Sequence, residues 1–350
     1  MAEHADGASP EALYDAAWST AYHNFFDAKR VEGFDQWRHR FDDQLRTFDD
    51  AHRAINEMVT SLGDTYTWFK LPQRVQQDEL DAANPASPVR VQWLRGGIAL
   101  VRVSSFTQRN TAEAMREGLR SVANARGFIL DLRRNGGGIL GEANTSLSLF
   151  MDEGEALLMR YFDDGKYIEE SYWLGPQNFE MTLKDREGRI TGTNTSIPRY
   201  ENIVRGRPLF VLVDGHTASA AEFFAATLRD HKLARLFGTT TGGKGISQRT
   251  FKLPNETGLQ VTNGTFLPPS GQFFGDHRQT FYNGVQPHYR VDEQRADVDA
   301  VLQVAYDHMV RELEPRRRTS SQELIVAGVI GLGLAAIAGT IGGGRRLRTA

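Results

Sequence analysis

Cysteine is absent from all 350 residues, which excludes disulfides, thiolate nucleophiles and cysteine-ligated metals together. Covalent chemistry must therefore use another side chain. No group of His, Asp and Glu has metal-ligand spacing, so neither a metal nor a cofactor is expected. No long basic run interleaved with aromatics occurs, and a net charge of -3 supplies no general attraction to nucleic acid, which is not an expected partner. The opening MAEHADGASPEALYDAAW lacks the basic start and apolar run of a secretory signal. No internal repeat is visible.

What is present is enough apolar residue, 40% against 24% charged, to bury a sizeable core. One stretch departs from the average. Residues 324–341 carry no charge, Gly342 to Gly344 extend them, and Arg316, Arg317 and Arg318 precede them while Arg345, Arg346 and Arg348 follow. That length suits a bilayer core of roughly 30 Å and predicts one C-terminal transmembrane helix; a buried core helix is the alternative reading. Because no signal precedes the body, a cytoplasmic body anchored to the membrane is the expectation. Ala327, Gly331, Ala335, Gly339 and Gly343 recur every four residues, a stripe that makes a homo-oligomer through this helix a hypothesis.

Along the chain, Leu13 to Phe26, Phe34 to Phe48 and Ile55 to Leu62 carry apolar residues near the helical period, predicting an N-terminal helical region over 1–72. Residues 73–95 read as a linker, since QRVQQDELDAANPASPVR is polar with two prolines. From 96 to 312 strand and helix patterns alternate: strands at 97–103, 127–132, 208–213 and 234–238, helices at 111–123, 140–150 and 220–229. Such alternation predicts an α/β core with parallel strands. Residues 160–206 read as an insertion of hairpins, with DREG as a turn, and 258–266 as one more strand. Residues 313–350 form the juxtamembrane segment and membrane helix.

Three segments carry candidate chemistry. PLFVLVDGHTASAAEFF predicts a strand, a turn and a helix starting near Ser219, where free N–H groups and the helix dipole favour negative charge. A hydroxyl there suits a nucleophile, but Ser219-Ala220-Ala221-Glu222 also fits the S-x-x-E capping box, in which the serine only caps the helix. Lys244 lies 25 residues further on, in TTTGGKGISQ, with Gln248 four residues beyond it. Four residues return to one side in a helix or a strand, so Gln248 can orient the amine. A buried, neutral Lys244 can act as a base; an ordinary solvated lysine is the other reading. Finally, Asn135-Gly136-Gly137-Gly138 ends a strand and exposes backbone N–H groups, as an oxyanion hole requires, although glycine runs also mark plain turns.

Together these segments resemble the tail-specific, or C-terminal-processing, serine peptidases of family S41, over about residues 11–290. Asp131-Leu132-Arg133-Arg134-Asn135-Gly136-Gly137-Gly138 is similar to that family's D-L-R-x-N-x-G-G, Thr217 to Glu222 to its S-A-S-A-S-E, and Gly243 to Gln248 to its G-K-G-x-x-Q. Pro269-Ser270-Gly271, Gly284 to Pro287 and the N-terminal Ser61 to Thr67 match further positions. The resemblance implies Ser219 as nucleophile, Lys244 as base, Gln248 as its support, and the N–H groups of Ala220 and Gly138 as oxyanion donors. It implies a crotonase-like β-α core, a polypeptide substrate and an acyl-enzyme route. Departures are the lack of room for a PDZ domain between Pro72 and Gly96, His288 in place of an aspartate, and Thr217 and Ala221 in place of serines.

Rival patterns fit less well. Gly136-x-Gly138-x-x-Gly141 satisfies a dinucleotide fingerprint without an acidic partner on a second strand, and Gly238 to Lys244 approaches a P-loop but has Gly245 where Ser or Thr is required. His216 or His231 beside Ser219 could build a Ser-His-Asp site, yet no G-x-S-x-G elbow occurs. A catalytically silent, membrane-tethered peptide-binding module remains the alternative function.

Overall fold

The computed structural model describes residues 8–83, 86–292 and 299–314. The chain falls into two compact units, Met1–Val310 and Arg311–Ala350, and the fold described here is that of the first. The expected membrane segment and its small-residue stripe lie outside the described residues. Among the described residues, no helix is long and apolar enough to cross a membrane.

Helix α1 (Pro10–Asn24) starts where Ser9 accepts the Ala12 N–H at 3.2 Å, with proline at its first turn, where a missing N–H costs nothing. Helix α2 (Phe48–Thr60) opens on a reciprocal Thr47–Asp50 capping box and buries Ala51, Ala54, Ile55, Met58 and Val59 along one stripe. The helix expected between them does not form. Only Phe34–Trp37 makes a short 3-10 turn, because α1 takes the carbonyls a longer helix would use: Trp18 Nε1 donates to Phe34 O at 3.2 Å and the Tyr14 hydroxyl to Trp37 O at 2.5 Å. The apolar spacing there is satisfied by irregular turns packed on α1.

Strand β1 (Trp68–Lys70) follows. Residues read as a linker then form helix α3 (Pro72–Ala82) and strand β2 (Val89–Leu94). Pro72 begins the helix instead of breaking it, and since no α3 residue is buried, no apolar stripe announces it. Next come β3 (Ile98–Val103), α4 (Thr111–Ser121), β4 (Gly127–Asp131), α5 (Leu140–Leu147) and four antiparallel strands, β5 (Gly154–Asp163), β6 (Lys166–Leu174), β7 (Asn178–Lys184) and β8 (Ile190–Pro198). The chain continues through β9 (Leu209–Val213), α6 (Ala220–Asp230), β10 (Arg235–Gly238), β11 (Ile246–Lys252), β12 (Gly258–Leu267), β13 (Tyr289–Arg290) and α7 (Ala300–Leu313).

Two sheets result. One has the order β13-β10-β9-β4-β3-β2, parallel except for β2. Its central strands β4 and β9 are buried at every position, as strands covered on both faces must be. The other runs β1-β12-β5-β6-β7-β8, with β11 paired to β12. The chain is thus a mixed α/β fold, with two apolar cores among the described residues. One joins Phe106, Phe128, Phe223 and Phe224 under the parallel sheet; the other joins Leu13, Trp18, Ile55 and Met58 of the helical layer to Leu259 and Val261 of β12.

Because β4 and β9 are parallel neighbours, the loops leaving their C-terminal ends lie side by side, where open α/β sheets place ligands. Asn135 Nδ2 donates to Val103 O at 3.0 Å, the Thr217 hydroxyl to Leu132 O at 2.9 Å, and Ala218 N–H to Asn135 O at 3.0 Å. Arg133 forks onto Asp131 and onto Asp299, whose Oδ1 also accepts the Leu302 N–H at 2.9 Å at the start of α7.

Ile55 is fully buried in the second core. Ile55→Ala is expected to cost about 2–5 kcal/mol through lost transfer energy and a cavity, read as a lower denaturant midpoint.

Candidate active site

Strand β9 ends in a turn that delivers Ser219 to the head of α6 with φ 57° and ψ -124°. A non-glycine residue at positive φ is strained, and such strain persists only where surrounding contacts over-determine it. Strained strand-to-helix turns of this kind project a serine hydroxyl in hydrolases that lack any sequence kinship with one another.

The contact that over-determines the turn is a buried carboxylate. Glu222, with 0% exposure, accepts the Ser219 N–H at 2.9 Å, the Gly243 N–H at 2.7 Å and the Lys244 N–H at 2.8 Å, and takes the Thr241 hydroxyl as well. The capping half expected from S-x-x-E is therefore present, but the same carboxylate also binds the lysine loop to the serine turn. Burial pushes the Glu222 carboxyl up, while the four donated hydrogen bonds pull it back toward the charged form.

The glycine run of the β4 loop closes on the same turn. A Cβ on Gly137 would stand 2.6 Å from Ala218 O and 2.7 Å from Ser219 Cβ, so only glycine allows this approach. Gly138 bridges Phe106 in parallel fashion: Phe106 N–H donates to Gly137 O at 2.9 Å and Ile139 N–H to Phe106 O at 2.8 Å. In that register the N–H of Gly138 itself turns away from Phe106. The Ala220 N–H is the first of α6, and a first-turn N–H has no intrahelical acceptor.

Ser219, Lys244, Gln248 and Gly138 line one cavity of about 890 Å³, together with Tyr66, Trp68 and residues of β5, β11 and β12. Lys244 is not the solvated lysine of the alternative reading. Burial pushes its amine down to about 8, against the opposing pull of Asp64 and Glu222. Its Nζ stands 3.9 Å from the centroid of the Tyr66 ring. Among the hydrogen bonds of the described residues, none joins Lys244 Nζ to Ser219 Oγ. Gln248 Nε2 donates to Ile246 O at 3.3 Å, and a register shift between Ser247 and Gln248 breaks the strand alternation. His216 pairs with Asp214 and His231 meets Glu155 O at 2.6 Å; neither lines the cavity. His288 accepts the Leu236 N–H on Nδ1 at 3.0 Å.

Sequence reasoning missed the roles of three residues. Glu222 was legible as a cap, but its second set of bonds comes from a loop beyond α6. Tyr66 touches Lys244, and Asp64 acts on its charge from beyond ion-pair distance, through the tertiary fold, and no local pattern marks either relation.

The profile of the family described as Peptidase family S41 matches residues 97–291, which is 195 of the 350 residues. The chain is 26% identical over 210 residues to the carboxy-terminal processing protease CtpA of Bacillus subtilis (strain 168), covering 59% of this chain and 38% of that one. It is 30% identical over 175 residues to the chloroplastic carboxyl-terminal-processing peptidase 2 of Arabidopsis thaliana, covering 49% of this chain and 29% of the relative. The match thus spans well under half the length of these relatives. In fold, it is similar to a photosystem II D1 C-terminal processing protease, with a TM-score of 0.58 at 18% identity, covering 85% of this chain and 97% of the other. It is also similar to a lipoprotein from Streptococcus agalactiae, with a TM-score of 0.62 at 15% identity, covering 89% and 100%.

Glu222→Ala leaves three buried backbone N–H groups and the Thr241 hydroxyl without their acceptor. At about 1–3 kcal/mol for each of these four orphaned groups, the expected loss is about 4 kcal/mol or more, read by chemical denaturation.

Proposed function

The chain belongs to peptidase family S41, and from that membership we propose that it is a serine peptidase in which Ser219 is the nucleophile and Lys244 the general base. The observation that carries this reading is one cavity shared by a strained serine at a helix head and a lysine whose amine burial pushes down to about 8.

In this mechanism neutral Lys244 takes the proton of Ser219 Oγ as the oxygen attacks a peptide carbonyl. The N–H groups of Gly138 and Ala220 hold the resulting oxyanion. The lysine then passes the proton to the leaving amine, and the C–N bond breaks to give an acyl-enzyme and a free amine. Water, losing a proton to Lys244, attacks the acyl carbonyl; the ester bond to Ser219 Oγ then breaks as Lys244 returns that proton to Oγ, which releases the acid and restores the serine. Gln248 lines the same cavity and, on this reading, supports the amine only after its side chain leaves Ile246 O, to which Nε2 now donates. The substrate is an extended or C-terminal polypeptide segment, a class consistent with the processing proteases to which the chain is similar.

The same reading assigns a crotonase-like β-α core to residues 96–312, a helical region to 1–72, and 73–95 as the connection that stands in place of a PDZ domain. Residues 313–350 then anchor a cytoplasmic body to the membrane and bring copies together through the small-residue stripe. Protease accessibility in intact cells and inverted vesicles, with crosslinking in membranes, tests that placement; a body cleaved from outside intact cells, or a strictly monomeric helix, overturns it.

The alternative, a catalytically silent peptide-binding module, draws on the missing Ser219–Lys244 hydrogen bond. One experiment separates the two. Casein or an unstructured peptide should be cut by the native protein and left intact by Ser219→Ala and by Lys244→Ala, each losing at least about a hundredfold in kcat/KM. Only the deprotonated amine is a base, so kcat/KM should rise with pH through about 8 and level off above it. A flat profile, or full activity in either variant, rules the assignment out.

A further inference from the structure

Asp64 is a buried carboxylate, 6% exposed, that the mechanism does not use. Its two oxygens are in unlike surroundings. Oδ2 accepts the hydroxyls of Thr67 and Thr262, each at 2.6 Å, whereas Oδ1 is buried and accepts from no group among the described residues. A buried acceptor without a partner is unfavourable and calls for an explanation. Two residues along the chain, the Tyr66 ring lies 3.9 Å from Lys244 Nζ, a cation–π contact that favours the protonated amine. Asp64 acts in the same direction on Lys244, more strongly than Glu222.

The ring is itself held. The Tyr66 hydroxyl bonds His277 Nδ1, His277 N–H donates to Gly243 O at 2.8 Å, and Thr65 N–H donates to Gln279 Oε1 at 2.8 Å. The other charges around Lys244 are committed. Glu222 is taken up by backbone donors and Thr241, and Asp276, which bridges Lys244 through the backbone, binds Thr280, Phe281 N–H and Arg30. His277 opposes a nearby positive charge and is itself pushed down by burial and by Lys244.

We propose that Tyr66 and Asp64 form a resting seat for the Lys244 ammonium, from which the side chain must be released before it can reach Ser219. This rests on the reading of Lys244 as the base. In the seat the amine is charged and makes no bond to Ser219. On release it gives its proton to water and swings as the free amine to Ser219 Oγ. The segment between α2 and β1 thereby becomes a positioning element for a reaction carried out on α6.

The test is the full pH profile of casein cleavage by the whole chain, paired with an NMR titration of lysine labelled at Cε, in which the Lys244 signal is assigned by its loss in Lys244→Arg. Asp64→Asn removes the negative charge and can place an amide donor toward the neutral amine. Both the acid limb and the Lys244 midpoint should then move to lower pH by at least about half a unit, a gain of about threefold in kcat/KM below the limb, with the alkaline plateau unchanged. Tyr66→Leu, which keeps the site apolar but removes the ring, should shift both in the same direction, while Tyr66→Phe leaves them in place. A plateau that falls with no shift in either readout shows a merely structural role and overturns the seat, as does a shift to higher pH. If Asp64→Asn does not fold, Tyr66→Leu decides alone. Should Ser219→Ala or Lys244→Ala still cut casein, the assignment of the base fails instead, and the NMR midpoint alone judges the seat.

Discussion

A single carboxylate, that of Glu222, holds the site in register. It is fully buried, so its oxygens must be matched by donors, and the donors it finds include the backbone of Ser219 and of the Gly243–Lys244 loop. Two chain segments separated by a helix and a strand thus share one acceptor. Their relative position is set by hydrogen-bond lengths, with little left to loop flexibility. The strained backbone at Ser219 is tolerable for the same reason, since relaxing it would orphan a buried carboxyl group.

The electrostatics follow from that constraint. Fixing the Lys244 backbone in this loop buries its amine, which disfavours charge, over the Tyr66 ring, whose face favours it. Asp64 and Glu222 pull the other way, and the outcome lies near neutrality. A base of that strength takes a proton readily and also returns it to a leaving group.

Much of this was readable in the sequence where the physics is local. The buried strand β9 is an unbroken apolar run and β4 is apolar up to Asp131, the glycine run marks a close approach, and Ser219 and Lys244 sit in short motifs with fixed spacing. Reading failed where neighbours decide. The turns after Phe34 carry helical spacing without a helix because Tyr14 and Trp18 claim their carbonyls. Helix α3 is polar because nothing covers it. Tyr66 meets Lys244, and Asp64 acts on it from further away, only through the fold.

The cavity also lies on a seam. Ser219 heads a helix rooted in the core of the parallel sheet, whereas Tyr66 connects Leu62 to Phe69, which belong to the core of the helical layer. The gap between hydroxyl and amine is therefore a property of how two separately packed bodies of side chains meet. Side chains along that join, Tyr66 among them, therefore bear on the gap directly, whereas a residue such as Ile55 bears on it only through the packing of its own core.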